Sequence, residues 1–398
     1  MERLGVGRFN NSTMPISSER KIHILSLLRQ RGAMTRAELS RASGIAKSSV
    51  SLIVEELLRE SHVHQIRANS TNRSKSVKGR PGDYIEIDPS AGAAIGIEIS
   101  FGKIVGVIGD VSHEVLASQI IQVETKPSAG KILKTCQTLV SELLAATRIT
   151  PSRVLGIGLG ISSSIQTSDE VKVNFSDDLW NEFNIAETLS EATGFKVQLE
   201  NSANLAGYAE TIWGAGKIFS NLLYFKIDKY IDGALIIDQQ VIVGARGGVA
   251  DFGHLILDPN GPICECGQRG CLDTYSSFQS LLNQASIASG FELNPVTFLE
   301  QVKSGNFICK QIYEDCGGRL GQGIAYLTRV LNPDAVIIGS TCLEIDSDFS
   351  RILVKNFSNF SGKNNSHIRI YNGQLGELAT ALGAAAKIIN NPLLQIST

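Results

Sequence analysis

Residues 247–273 read GGVADFGHLILDPNGPICECGQRGCLD, and this segment concentrates metal-binding side chains. His254 is followed, after nine intervening residues, by Cys264, Cys266 and Cys271. Three thiolates and one imidazole form a complete tetrahedral ligand set for Zn²⁺, and the glycines between them let the chain fold back around an ion. Because four protein ligands leave no open coordination position, the pattern predicts one structural zinc ion per chain. Three buried free thiols are the alternative interpretation.

The length and charge of the chain indicate more than one domain. Its 398 residues suffice for two or three domains of about 150 residues each, and 43% hydrophobic content can fill a large core. The formal net charge is only −2, but it is unevenly distributed. Residues 1–87 hold 15 Lys and Arg against 8 Asp and Glu, whereas residues 88–398 have a net charge of −9. A basic amino-terminal segment therefore precedes an acidic body.

The sequence has no signal for a membrane or for secretion. No apolar run approaches the ~18 residues of a membrane-spanning helix, and the amino-terminal sequence lacks a secretory apolar stretch and cleavage site. Seven cysteines in so long a chain, three of them within eight positions, are unlike a disulfide framework. We therefore expect a cytoplasmic protein without membrane association.

Three predicted helices near the amino terminus have the order of a helix-turn-helix. Apolar residues at helical spacing predict a first helix over residues 19–30. Thr35 and Glu38 form a capping box for a short second helix, which ends near Ala42 at a Ser-Gly turn. A third helix follows over residues 47–60, and the second helix of such a pair lies in the DNA major groove.

The start of the third helix carries polar side chains suited to DNA. Lys47, Ser48, Ser49 and Ser51 lie at its amino-terminal end, where bases and phosphates must be approached closely. We predict that these residues contact double-stranded DNA. An ordinary three-helix appendage is the alternative, because helical periodicity alone does not exclude it.

A basic segment follows the third helix directly. Residues 62–82 contain five Lys and Arg and no acidic residue, at the position where a winged helix has its β-hairpin wing. An Arg before Pro81, next to a residue without a side chain, can enter a narrow minor groove. We predict that the wing binds DNA, although such runs can also be solvated loops. The predicted contacts are Arg73, Lys75, Lys78, Gly79 and Arg80.

The chain after Asp88 alternates strand and helix signals, which predicts an α/β fold. Strands over 94–99 and 104–108 are joined by a turn at Phe101-Gly102, and the Gly-rich residues 154–161 form a third strand. The other predicted elements are helices over 132–146, 185–193, 315–331 and 377–389 and strands over 222–227, 233–237, 241–243 and 335–338.

Several motifs together resemble the ROK family (repressors, open reading frames and sugar kinases). The metal-binding segment matches the family pattern Gly-Gly-x-x-Asp-x-Gly-His followed by Cys-x-Cys-Gly-x-x-Gly-Cys-x-Asp. The resemblance covers about residues 88–390, and the helix-turn-helix with its Gly-Arg-Pro wing resembles the repressors of the family. Further matches are Gly156–Gly158, Glu200–Asn204, Trp213–Gly216, Leu375-Gly376 and Leu382–Ala385.

The resemblance implies a winged helix-turn-helix head over residues 1–88 and a two-lobed, actin-like sugar-kinase body over residues 89–398. The first lobe is expected to comprise about residues 89–204 together with 381–398, and the second lobe about residues 205–380. A sugar would lie in the cleft between the lobes, beside ATP in the kinases of the family.

The sequence departs from the kinases at three points. Their first phosphate turn, Asp-x-Gly-Gly-Thr, is replaced by residues 98–102, and their second, Gly-Thr-Gly-x-Gly, by residues 228–233 with two carboxylates. Their catalytic Asp is Ser202, whose hydroxyl cannot accept a proton near neutral pH. We therefore predict that the protein has no catalytic residues and is not an enzyme.

The sugar site implied by the resemblance is altered but retained. Asn201, Asp251, His254 and Asp273 match family positions that bind sugar hydroxyls or support that contact, and His254 is also a predicted metal ligand. Asp251 and Asp273 replace Glu, so the pocket widens by on the order of an ångström at each. Alternatively, both carboxylates anchor the metal-binding loop. Trp180 and Trp213 could stack on a sugar or lie in the core.

These features predict a sequence-specific transcriptional regulator of carbohydrate metabolism genes, and we expect it to act as a repressor. It would bind operator DNA as a homodimer or homotetramer and respond to a sugar or sugar derivative in the cleft. A sugar kinase with an added DNA-binding head is one alternative. A regulator controlled by a protein partner instead of a sugar is another.

Overall fold

The computed structural model describes residues 16–66, 83–124, 127–162, 164–167, 171–174, 184–244, 249–340, 347–365 and 367–391. Within these ranges, no helix combines the length and the apolar character that crossing a bilayer requires.

The amino-terminal head contains three helices and a small antiparallel sheet. Its strands have the order β1-β3-β2. The predicted capping box is present, since Thr35 N donates to Glu38 Oε2 at 2.8 Å and Thr35 Oγ1 accepts from Glu38 N at 3.3 Å. Gly44 then ends the second helix with φ +70°. The elements are α1 (Ile16–Arg31), β1 (Met34–Thr35), α2 (Arg36–Ser43), α3 (Lys47–Arg59), β2 (Val63–Ile66) and β3 (Tyr84–Ile87).

The body begins with a five-stranded sheet, the first sheet, of order β10-β7-β4-β5-β6. Strands β4, β5 and β6 are antiparallel neighbours, and β7 and β10 continue the sheet in parallel. A separate hairpin, β8 with β9, follows β7. The elements are β4 (Ala93–Ser100), β5 (Lys103–Asp110), β6 (Val115–Gln122), α4 (Ala129–Thr147), β7 (Val154–Ile161), β8 (Ser164–Thr167), β9 (Val171–Asn174), α5 (Ile185–Thr193), β10 (Val197–Asn201) and α6 (Ser202–Ile212).

The second sheet has the order β13-β12-β11-β14-β15 and repeats the pattern of the first, with three antiparallel strands and two parallel ones. This duplication confirms the predicted α/β class with a two-sheet, sugar-kinase-like body. The elements are β11 (Leu222–Ile227), β12 (Ile231–Ile237), β13 (Gln240–Ile242), α7 (Asp273–Ser276), α8 (Phe278–Ser289), α9 (Pro295–Lys303), α10 (Phe307–Leu331), β14 (Ala335–Ser340), α11 (Ser347–Ser361), β15 (Arg369–Asn372) and α12 (Ala379–Ile389).

Several elements of the structure were not predicted, among them α6, α8, α9, α11, β10 and β15, and one predicted helix begins earlier than expected. Helix α10 begins at Phe307 rather than at residue 315, because the Asn306 side chain caps it by accepting from Cys309 N at 3.1 Å. Gly317 and Gly318 lie inside this helix although glycine has a low helix propensity. Strand β6 was not predicted, because its partly exposed side chains lack a regular apolar alternation.

Helix α12 packs on the first sheet in direct backbone contact. A Cβ atom added at Gly96 of β4 would overlap the carbonyl oxygen of Ala381, and one added at Gly158 of β7 would overlap that of Ala384. Gly383 of α12 makes an equally close approach to the carbonyl oxygen of Leu205 in α6. The strand glycines thus allow α12 and α6 to lie together against the sheet.

The head is packed onto the body rather than tethered to it. Its core, formed by α1, α2, α3 and the strands, is continuous with apolar side chains of β4, β5, α6 and α12. Leu28 of α1 and Ile388 of α12 belong to the same buried cluster. A movement of α12 or α6 therefore acts directly on the packing of the head.

Candidate functional site

The predicted metal ligands converge at one end of the second sheet. A 3-10 helix, Phe252–His254, presents the histidine, and a tight loop presents the three cysteines. In that loop Cys264 N donates to Gln268 O at 2.8 Å, and Gly267 takes φ +87°. The four ligand atoms of His254, Cys264, Cys266 and Cys271 all lie within 4.8 Å of one another.

The spacing of these atoms fits a tetrahedral metal ion. His254 Nδ1 lies 3.5 Å from Cys264 Sγ, and Cys266 Sγ lies 3.6 Å from Cys271 Sγ. Metal–sulfur bonds of ~2.3 Å place the ligand atoms of a tetrahedron about 3.8 Å apart. Cys266 is exposed, so the cluster is not a set of three buried thiols. The four side chains could therefore bind a metal ion.

The thiols of this cluster influence one another's ionisation. Burial, together with the neighbouring thiols of Cys266 and Cys264, raises the pKa of Cys271 to about 12. A bound cation would lower the proton affinity of all three thiols together.

Asn201 lies at the junction between β10 and α6. Its Oδ1 atom caps α6 by accepting from Ala203 N at 2.8 Å and from Asn204 N at 3.0 Å. Its Nδ2 atom donates to Asp232 Oδ2 at 2.6 Å. Asp232 is one of the two carboxylates noted in residues 228–233, and its contact with Asn201 was not foreseen because 31 residues separate the two.

Asp273 and Asp232 lie at the same end of β12. Asp273 Oδ1 accepts from Ile231 N at 2.7 Å, and Asp232 Oδ1 accepts from Gly233 N at 2.8 Å. Burial is the main cause that raises the pKa of Asp273 to about 7 and that of Asp232 to about 6, and the charge of Asp251 raises both further. The carboxylates thus form one electrostatically coupled group beside Asn201.

Asp251 links this group to the metal-binding cluster. Its Oδ1 atom lies 4.0 Å from His254 Nε2, on the opposite side of the imidazole from Cys264, and its side chain is 55% exposed. An exposed carboxylate at this position can accept a hydrogen bond from a ligand or orient the imidazole. Asp273 instead bonds to the backbone of β12.

The kinase phosphate turns are replaced by a buried charge network between the two sheets. The Lys226 ammonium on β11 pairs with the Glu98 carboxylate on β4 and lies 3.7 Å from Asp228 Oδ2. Ser100 Oγ donates to Asp228 Oδ2 at 3.0 Å. The side chains of Lys226 and Glu98 are only 3% and 1% exposed. Protein charges therefore fill the space between the two turns.

The carboxylates of this network favour the charged form of Lys226. Burial alone lowers the pKa of Lys226, but the carboxylates of Glu98 and Asp228 outweigh burial and the net shift is upward. Ser202, at the position of the kinase base, is fully buried and its Oγ atom has no hydrogen-bond partner. Neither Lys226 nor Ser202 is arranged to take a proton from a sugar hydroxyl.

The predicted DNA-binding residues of α3 lie at the surface of the head. Lys47 and Ser48 are exposed, whereas Ser49 and Ser51 are partly buried, and Ser51 Oγ donates to Lys47 O at 3.0 Å. Leu52, which the sequence analysis did not single out, is 64% exposed on the same helix and suits contact with a thymine methyl group.

The predicted wing residues Arg73, Lys75, Lys78, Gly79 and Arg80 lie outside the described residues. The two strands that flank them, β2 and β3, pair antiparallel in the register Val63 to Ile87 and Ile66 to Tyr84. The base of the predicted hairpin is therefore present.

Of the two tryptophans, Trp180 is outside the described residues. The Trp213 ring packs against the His113 ring in a tilted arrangement with centroids 5.3 Å apart, and its Nε1 atom donates to His113 O at 3.3 Å. Trp213 thus packs against the head side of the body and is no platform for a sugar.

Comparison with known proteins accounts for both the head and the body. A model of the ROK family matches residues 94–390. The xylose repressor of Bacillus subtilis (strain 168) is 26% identical over 380 residues, a match that covers 94% of this chain and 96% of that protein. A solved ROK family transcriptional regulator, described as a homolog of the Escherichia coli Mlc protein, has a TM-score of 0.77 at 21% identity and covers 96% of this chain and 97% of that one.

A ROK family glucokinase from Streptomyces griseus, solved with glucose and AMPPNP, has a TM-score of 0.64 at 24% identity and covers 74% of this chain and 98% of that one. Since the family model spans well over half of the sequence, the chain belongs to the ROK family. The repressor and the regulator match it over almost the full length, whereas the kinase fold leaves a quarter of it unmatched.

We expect Cys264→Ser to reduce the metal content of the purified protein, because it removes one of four converging ligands. Elemental analysis should find about one metal ion per wild-type chain and less in the variant. The thermal unfolding temperature of the variant should be lower by at least a few degrees. Glu265→Gln is the matched control, since Glu265 is an exposed neighbour outside the cluster. Equal metal content in the two variants would contradict the ligand assignment.

We expect Lys226→Met to lower the free energy of unfolding by about 3–5 kcal/mol, because it leaves the Glu98 and Asp228 carboxylates without their buried cation. Lys131→Met is the control, since the Lys131–Glu124 pair is exposed and such pairs contribute about 0–1 kcal/mol. Urea unfolding measures both. Similar losses in the two variants would show that the network has no special role.

Proposed function

We propose that this ROK protein is a sequence-specific transcriptional repressor of carbohydrate metabolism genes that responds to a sugar or sugar derivative. The observation that carries the proposal is the buried Glu98–Lys226–Asp228 network. It fills the phosphate side of the cleft with protein charges, while the sugar side keeps Asn201 and its neighbouring carboxylates. A body that can hold a polar ligand without transferring phosphate is a sensor rather than a kinase.

The DNA-binding function is proposed for the head, residues 1–88, and sugar sensing for the body, residues 89–398. The lobes of the body would be residues 89–204 with 381–398 and residues 205–380. In the head, Lys47, Ser48, Ser49 and Ser51 would contact the major groove, assisted by Leu52. The basic wing residues Arg73 to Arg80 would contact the minor groove and the phosphates.

The sugar-binding residues are proposed to be Asn201, Asp251, His254 and Asp273. The metal ion is proposed to be a structural Zn²⁺, because three sulfur ligands and one nitrogen ligand favour zinc and leave no open position for catalysis. By holding His254 it would tie the sugar-binding loop to the body. Asp251 would serve both sites, since it lies 4.0 Å from the His254 imidazole and its charge acts on Asp232 of β12.

A repressor of this kind would act in the cytoplasm as a homodimer or homotetramer. Paired heads recognise the two halves of a palindromic operator only at a spacing that matches the helical repeat of DNA. An effector that alters the relation between the two sheets would change this spacing. By linkage, DNA would then weaken effector binding by the same factor.

We expect full-length protein to bind a palindrome upstream of its own gene with an affinity that falls about 10³- to 10⁵-fold between 50 and 200 mM salt, if six or more phosphates are contacted. Fluorescence anisotropy with labelled DNA fragments measures this. Ser48→Glu should weaken binding because it adds a negative charge facing DNA. Ser141→Glu, an exposed serine of α4, is the control. Binding with no preference for any palindrome would exclude the proposed function.

We expect one monosaccharide, or a phosphorylated or acetylated form, to raise the thermal stability of the protein, while ATP has no effect. A ligand at 100 times its Kd adds about 2.7 kcal/mol, which a thermal-shift screen detects. A panel without any response, combined with co-purification of another protein, would favour control by a protein partner. ATP consumption in the presence of a sugar would instead identify a kinase.

A further inference from the structure

One buried helix connects the cleft to the head. Helix α6 begins at its cap Asn201, beside Asp232, and ends at Trp213, beside the head. Its eleven residues span about 16 Å. All of them from Ser202 to Thr211 except Tyr208 are buried. Because α6 also makes the close backbone contact with α12 at Gly383, it cannot bend or shift without moving α12.

The far ends of α6 and α12 meet a side chain of the head. Arg29 of α1 donates from Nη1 to Asn390 Oδ1 at 2.8 Å, and Asn390 is the last-turn cap of α12. Asn390 Nδ2 in turn donates to the Tyr208 hydroxyl of α6 at 2.8 Å. Arg29 Nε donates to Val111 O, also at 2.8 Å, in the turn between β5 and β6. We call Arg29, Asn390, Tyr208 and Val111 the head joint.

In the head joint, neutral groups hold the positively charged side chain of Arg29. In the described part of the chain, no carboxylate lies within ion-pair distance of Arg29, which donates to an amide oxygen and a carbonyl oxygen. Burial lowers the pKa of Arg29 to about 10, so the side chain stays charged at neutral pH. A desolvated charge without a counter-ion contributes little net stability, because water solvates it well once released. The joint is therefore suited to opening.

We propose that α6 and α12 act as a relay that carries the state of the cleft at Asn201 to the head through Tyr208, Asn390 and Arg29. This inference rests on the proposed function, since it assigns the path by which the effector would act. The Asn201 amide has two N–H donors, one of which is bonded to Asp232. A ligand that takes Asp232 away from this donor would release the amino-terminal end of α6, and the buried helix would pass the displacement to Tyr208 as a rigid body.

The relay can be tested without any ligand by changing its cleft end. Asn201→Ala removes the cap of α6 and the bond to Asp232, whereas Asn201→Asp keeps a capping oxygen and replaces the bond by repulsion between two carboxyl groups. Asn184→Ala is the matched control, because Asn184 caps α5, which is not part of the relay. At the head end, Tyr208→Phe removes the hydroxyl that accepts from Asn390, and Tyr326→Phe removes one that accepts from Gln322 on α10.

The first readout is amide hydrogen exchange of the full-length protein in the absence of DNA. Both Asn201 variants should increase the exchange rates of the amides at the end of α1 on the order of 5-fold, as should Tyr208→Phe. Asn184→Ala and Tyr326→Phe should leave α1 unchanged. If the Asn201 variants alter exchange only at the start of α6, the relay is wrong, whatever the protein binds.

The second readout is operator affinity in a double-mutant cycle. If the relay exists, Asn201→Asp should change affinity on the order of 5-fold in the wild-type background and much less when Tyr208→Phe is already present. If the fold-changes in affinity of the two single variants simply multiply in the double variant, the relay is contradicted. Altered exchange in α1 without binding to any DNA would keep the relay and overturn the proposed function. DNA binding with unaffected exchange in α1 would support the proposed function and overturn the relay.

Discussion

The structure depends on the contact between α6 and α12 and the first sheet. Gly96 and Gly158 have no side chain between the sheet and α12, and Gly383 has none between α12 and α6. Helix α12 therefore packs against both the sheet and α6 at backbone distance. The second sheet packs on α6, and the head packs on both helices. Because interiors are close-packed, a displacement at one of these surfaces is felt at the others.

The charges in the cleft explain how a kinase-like body can serve a non-catalytic role. A kinase needs space and backbone donors for phosphate between β4 and β11, and this protein has a buried lysine and two carboxylates there. The network also joins the two sheets, so the same residues that exclude phosphate stabilise the cleft. Sugar hydroxyls need only neutral or acidic acceptors, and Asn201, Asp232 and Asp273 remain on the other side.

The metal-binding cluster and the ligand cleft are parts of one arrangement. The 3-10 helix that contains His254 also follows Asp251, and the last cysteine precedes Asp273 by two residues. Asp273 holds the first residue of β12, and the next residue, Asp232, holds Asn201. An ion that fixes the cysteine loop thereby fixes the positions of the carboxylates, which is the usual benefit of a structural metal beside a binding site.

Local sequence determined several elements and the grouping of the predicted metal ligands. The capping box at Thr35, the hairpin turn at Phe101-Gly102 and the spacing of His254 and the cysteines involve residues close in the chain, whose geometry their own neighbours dictate. Only the tertiary structure decided which distant polar groups meet. Lys226 pairs with Glu98, which is 128 residues away in the chain, and Arg29 donates to Asn390, which is 361 residues away. Such pairs follow from how the sheets and helices pack, which no local pattern encodes.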